Sequence, residues 1–229
     1  MSSPALISPR YRLPALALAA LGWVGCVVLG LRYAGARHAG RLDTAVIHQV
    51  YQVVGEKGPL AALLVSPSSP PVVYAVIGVT VLLALLARRW EFAALAILGP
   101  ALAVGLVEWV GKPLVDRRLA GALSYPSGHT VSTISAFTVA MLGLAAGARI
   151  ARKVLALLAW LVVTASVMVG LVGMNYHYPT DTLGGLGVVL GTMLPAAVLV
   201  DLLAARRVKR QVADRAAGLT TKQTDRGRR

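Results

Sequence analysis

Residues 13–31 read LPALALAALGWVGCVVLGL, without a single charged side chain. A helix rises about 1.5 Å per residue, so about 20 apolar residues cross the hydrocarbon core of a bilayer. This stretch is long enough. Arg10 and Arg12 precede it, as basic residues precede the apolar core of a secretory signal peptide. No Ala-x-Ala site leading into a soluble chain follows, however. More apolar runs follow instead, near 71–87, 92–111, 128–148, 154–174 and 182–204, which makes six with the first. The expected fold is all-α, a polytopic membrane bundle of six transmembrane helices within one domain spanning 1–204. The segment 205–229 is polar and basic without hydrophobic periodicity, and is expected to be a disordered cytoplasmic tail.

The totals fit a membrane environment. Hydrophobic residues make up 57% of the 229 and charged residues only 14%, where soluble domains carry about 25% charged. The net charge of +14 is the one total that suggests nucleic acid, since Lys and Arg displace counterions from phosphates. Its distribution argues otherwise. Nine of the 23 basic residues lie in the last 24 positions, and most others sit in short breaks between apolar runs. The membrane, and not nucleic acid, is the expected partner; oligomeric state is left open. Cys26, the lone cysteine, lies inside the first run and has no partner for a disulfide or a metal site. It reads as a small core residue, and no cofactor is expected.

Between the first two runs lies a mixed stretch, Arg32 to Pro70. Leu42, Val46, Val50 and Val53 share one helical face there, so this part is expected to lie flat at the interface. Ser66-Pro67-Ser68-Ser69-Pro70-Pro71 reads as the turn that ends it. Counting Lys and Arg on alternate sides gives sixteen against seven. The richer side should be cytoplasmic, which puts both termini inside and segments 112–127 and 175–181 together at the outer face. An Ala-rich composition with 18 Arg against 5 Lys points to a GC-rich bacterial genome, and so to a bacterial plasma membrane.

Ionisable residues where spans meet water are costly and invite a functional reading. His38 and His48 carry no usable pattern and read as surface residues. The other two histidines do better. In Pro126-Ser127-Gly128-His129, Ser127 stands where a helix should begin, and serine is a favoured N-cap. The free amides and dipole of that helix form an anion site, which Gly128 lets a ligand approach. A capped helix with an interfacial histidine would look the same. In His177-Tyr178-Pro179-Thr180-Asp181, a carboxylate near the ring can fix its tautomer and sharpen the other nitrogen as base or nucleophile; Asp181 could equally be only an N-cap. Lys112, Arg117 and Arg118 share the outward side and could neutralise a phosphoryl group or simply snorkel. Glu108 is placed to pair with Lys112 four residues on.

With a basic cluster, Pro-Ser-Gly-His and His-x3-Asp in that order on one side, the chain resembles the type 2 phosphatidic acid phosphatase family. That family's pattern is Lys-x6-Arg-Pro, Pro-Ser-Gly-His and Ser-Arg-x5-His-x3-Asp, and the resemblance covers roughly residues 71–204. Pro126-Ser127-Gly128-His129 and His177-x3-Asp181 match in full. Two places depart. Leu119 and Ala120 stand where Arg-Pro is expected, with Arg118 one position early, and Gly170 and Leu171 replace Ser-Arg. Loss of one charge-assisted hydrogen bond costs about 1.5–3 kcal/mol, enough to weaken a phosphatase without abolishing it. Arg117 and Arg118 together are the expected partial replacement.

The resemblance implies an enzyme that hydrolyses a lipid phosphate without metal. His177 would attack phosphorus to give a phosphohistidine, with Asp181 orienting its ring. His129 would protonate the departing oxygen and later activate water. Lys112, Arg117, Arg118, Ser127 and Gly128 would hold the phosphoryl oxygens. Isoprenoid diphosphates, phosphatidate and phosphatidylglycerol phosphate all suit the geometry, with a carrier-lipid phosphate slightly favoured in a bacterium. The alternatives are a lipid-linked phosphotransferase using the same histidines, and a non-catalytic binder of lipid phosphate, for which Leu171 argues.

Overall fold

The computed structural model describes residues 4–226. Among them, helices α1 (Arg12–Arg32), α2 (Arg41–Val54), α3 (Pro59–Val65), α4 (Pro70–Leu86), α5 (Trp90–Leu106), α6 (Lys112–Val115), α7 (Gly128–Ala145), α8 (Ile150–Gly173) and α9 (Pro179–Arg226) follow in order. A π turn, Val107–Gly111, joins α5 to α6. The described β structure is a two-stranded ladder after α6, β1 (Arg118–Leu119) against β2 (Ala122–Leu123).

Six helical stretches are long and apolar enough to cross a membrane: Pro9–Arg32, Pro59–Leu86, Trp90–Val115, Gly128–Ala145, Ile150–Gly173 and Pro179–Val208. The protein is an all-α, multi-pass membrane protein. Large apolar side chains such as Leu13, Leu21, Leu102 and Trp109 stand exposed, which in water would be a liability and against lipid tails is the stable arrangement. The helix boundaries follow local chemistry. Pro59, Pro70 and Pro179 each begin a helix, where the missing N–H costs nothing. Gly55 closes α2 at a positive φ of 74°, which glycine, lacking a Cβ, adopts most readily.

The sequence reading expected no regular structure beyond residue 204, yet α9 runs on to Arg226. Ala, Arg, Lys and Gln dominate the stretch, and all favour helix without needing an apolar face. The last three residues of that segment lie outside the described ones.

α9 is the centre of the bundle, packed by α1, α5 and α7. Small residues let α1 approach it. A side chain at Gly22 would meet the Gly187 carbonyl at 2.8 Å, one at Gly187 would collide with the Gly22 carbonyl, and Trp23 Nε1 donates to the Gly191 carbonyl at 2.9 Å. Close backbone contact of this kind is how helices associate without a hydrophobic driving force in lipid. α3 lies just as close on α8. A Cβ at Gly170 would run into the Leu64–Val65 backbone and one at Gly173 would meet Ala61 Cβ at 2.8 Å.

The stretch 41–54 is helical as its periodicity predicts. Leu42 and Val53 are exposed, while Asp43, on the inward face that also carries Val46, Val50 and Val54, is completely buried. α2 is therefore pinned to the bundle by a polar residue, at the end where the chemistry-bearing loops gather.

Candidate active site

Ser127 caps α7: its hydroxyl oxygen accepts from Thr130 N at 3.2 Å and from the Thr130 hydroxyl at 3.0 Å. The Ser127 amide donates to the Asp181 carbonyl at 3.0 Å, which ties the start of α7 to the start of α9. Gly184 and Gly185 make that contact possible. A Cβ at Gly184 would sit 2.5 Å from the Tyr125 ring, and one at Gly185 would be 2.9 Å from the Ser127 carbonyl. Tyr125, its hydroxyl donating to the Cys26 carbonyl, fixes the same loop to α1; burial pushes this phenol strongly up in pKa and keeps it a donor.

Two histidines meet across this junction. His129 Nδ1 and His177 Nε2 are 3.3 Å apart, and His177 Nδ1 lies 3.1 Å from the Ser124 carbonyl oxygen. A carbonyl only accepts, so Nδ1 of His177 carries the proton. In the neutral ring Nε2 then holds a lone pair, and His129 Nδ1 is the donor between the two rings. His177 is 7% exposed while His129 lies open to the outside. Chemically, such an arrangement can present a base or nucleophile of fixed tautomer to a proton donor.

Asp181 is close but is not the direct partner. Its Oδ2 stands 3.8 Å from His177 Nδ1 and accepts the Tyr178 amide at 3.1 Å. Its Oδ1 accepts from Arg117 Nη1 at 2.6 Å. Arg117 is fully buried, lies between the Tyr33 and Tyr178 rings at 4.2 and 4.4 Å, and also pairs with Asp43 through Nη2. Burial raises the Tyr178 hydroxyl pKa, and Arg117 opposes the rise.

The phosphate-binding set expected from sequence divides. Lys112 is 15% exposed and pairs with Glu108 at 2.7 Å, as the spacing predicts. The pair stands over Gly128, where a Cβ would collide with Glu108 Oε1 and lie 3.6 Å from Lys112 Nζ. Arg117 lies apart from the expected set: its side chain is fully buried, its terminal amino groups are bound to Asp43, Asp181 and Thr180, and its Nε has no hydrogen-bond partner among the described residues. Ser127 is buried as well: its hydroxyl oxygen accepts twice from Thr130, and the Gly128 and His129 amides open α7 beside it. Arg118 sits on the small ladder, 42% exposed, bound to Asp116 and to the Gly121 carbonyl at 3.0 Å. Asp116 also takes Arg37 at 2.8 Å, and that hydrogen bond, with Arg118 helping, holds its carboxyl below the usual range.

The Ser-Arg departure has a steric explanation. Gly170 leaves no room for a side chain against α3, and Leu171 is completely buried. α3 occupies the flank of α8 where a serine would point. Sequence reading missed the Ser124 carbonyl, Thr180 and Asp43. A backbone acceptor leaves no compositional trace, and Asp43 lies 74 and 137 residues from its partners Arg117 and Thr180, though an acid inside an otherwise amphipathic connection was a signal available to read. Among the described residues no three His, Cys, Asp or Glu side chains gather as a metal site would require.

Residues 109–206 match a family model, that of the PAP2 superfamily. No curated protein and no solved structure matches the chain. The matched segment takes in Lys112, His129, His177 and Asp181 and leaves α1 to α5 outside it. Phosphatases are the general rule in this superfamily, which supports phosphoryl hydrolysis as the broad class of activity. Through residues 109–206 the chain is similar to the PAP2 superfamily, a match consistent with a type 2 phosphatidic acid phosphatase family member.

Proposed function

We propose that the protein hydrolyses a lipid phosphate at the outer face of a bacterial plasma membrane, with both termini cytoplasmic. The observation that carries this reading is the His177 ring, with Nδ1 committed to the Ser124 carbonyl and Nε2 turned to His129 at 3.3 Å. A phosphoryl group entering between the rings takes the place of their mutual hydrogen bond. Nε2 of His177 attacks phosphorus while the bond from phosphorus to the lipid-side oxygen breaks, and His129 gives that oxygen its proton. Water then attacks the phosphohistidine, His129 takes the water proton, and the P–N bond breaks to release phosphate. The Nδ1 proton stays with Ser124 throughout, and the nearby Asp181 charge favours the cationic ring.

Charge on the equatorial oxygens is met by Lys112 and by the Gly128 and His129 amides at the α7 N-terminus. Arg118, held only by Asp116 and a backbone carbonyl, is the arginine of its pair with access to an incoming phosphate. Isoprenoid diphosphates, phosphatidate and phosphatidylglycerol phosphate remain the candidate substrates, each with a phosphate at the interface and a tail for the bilayer.

The test is phosphate release by purified protein in detergent, with chelator present, from a panel of these lipids and with His177→Ala alongside. Release by the wild type alone is expected. No release from any lipid by well-folded protein would favour phosphotransfer to another acceptor or a binding role.

A further inference from the structure

Asp43 has no place in the reaction as described, and it lies outside the matched segment, on the connecting helix α2. Yet it is completely buried. Its Oδ1 accepts from the Thr180 amide at 3.0 Å and the Thr180 hydroxyl at 2.7 Å, and its Oδ2 pairs with Arg117. Arg117 passes the connection on to Asp181 and, through Nη1, to the Thr180 hydroxyl at 2.6 Å. A carboxylate, a guanidinium and a second carboxylate thus form a closed array, without solvent contact, ending 3.8 Å from His177 Nδ1.

We propose that Asp43 is a positioning residue for the phosphoryl-accepting histidine. It holds the first turn of α9 by its amide, and it balances Arg117 so that Asp181 keeps its negative charge for His177. The inference rests on His177 being the nucleophile. With one guanidinium between two carboxylates the array carries a net negative charge. Without Asp43, Arg117 would neutralise Asp181 one to one, and a cationic His177 ring would lose its support. The other charged or titratable groups around His177 are His129 from α7, Lys112 with Glu108 from the α5–α6 end, and Tyr178 from its own loop; they are unchanged by the substitution.

The test compares Asp43→Asn, the double variant Asp43→Asn with Arg117→Met, and the wild type, in phosphate release across pH. Asp43→Asn is expected to lower kcat about tenfold with KM within about threefold. The acid limb of its profile should move to lower pH, because a neutral array disfavours the protonated ring. The double variant restores the net charge, so its acid limb should return toward the wild-type position even if kcat stays low. A merely structural Asp43 would leave the limb in place in both, which would overturn the proposal. Arg117→Lys keeps the charge but cannot fork to both carboxylates; it serves if Asp43→Asn is lost in extraction, and full turnover by it would also count against the array. A wild type that releases no phosphate overturns the hydrolase reading instead. The ¹⁵N signals of His177 then decide the positioning claim. A single Nδ1–H tautomer in wild type that becomes a mixture in Asp43→Asn supports it, and identical spectra reject it.

Discussion

His177 and His129 do different work in the proposed reaction, and their substitutions should differ in kind. His177→Ala removes the group that bonds to phosphorus and should lower kcat by at least about 10³-fold. His129→Ala removes proton transfer, worth about 10²–10⁴-fold, and should let phosphohistidine accumulate. Because one ring must be neutral and the other protonated, kcat/KM should follow a bell-shaped pH profile; a flat profile across the histidine range would contradict the pair of roles. The two adjacent arginines offer a second contrast. Arg117→Ala leaves two buried carboxylates facing each other unpaired, a loss of about 3–5 kcal/mol that thermal unfolding in detergent should register. Arg118→Ala should leave unfolding unchanged and raise KM severalfold. The sequence could name the histidines, because their spacing and motif neighbours are local. It could not separate Arg117 from Arg118, since burial of one and exposure of the next depends on where Asp43 arrives from a distant helix.

Apolar runs placed five of the six spans to within a few residues, because a helix in lipid must satisfy its backbone internally and long uncharged runs have no other stable form; the span Pro59–Leu86 begins twelve residues before its run at 71, where Ser66 to Pro71 had read as a turn. What packs against what was less legible. The contact of α3 with α8 rests on Gly170 and Gly173, and no periodicity announces it. Gly170→Ser should therefore destabilise the protein by about 1–3 kcal/mol through overpacking, although it restores a family motif residue. Leu171→Arg should reduce yield rather than raise turnover, since that side chain is wholly enclosed. Gly187→Val should loosen α1 from α9 at similar cost. All three are checked by yield and thermal unfolding in detergent, and a stable, more active Leu171→Arg protein would show the α8 flank to be open.

At one end of the bundle, segments distant in sequence converge because each span ends at the same membrane face. Alternation of spans predicted that 112–127 and 175–181 would share a side, and His129, just past the first segment, meets His177 in the second. The loop after α1 joins them through Arg37 and Asp116. Since Arg37 holds the Asp116 carboxyl below its usual range, this clasp contributes above that range and is lost only as pH falls through the lowered value. Neutral and mildly acid assays should find it closed, which amide exchange at Gly35 and Arg118 would report. The measurement that bears most directly on the whole account is rapid quenching of purified protein with a lipid phosphate labelled in its terminal phosphoryl group, followed by mapping of the label. An acid-labile phosphoramidate is expected on His177, missing in His177→Ala and enriched in His129→Ala. Phosphate release without any label on His177, or with the label on another residue, would contradict it.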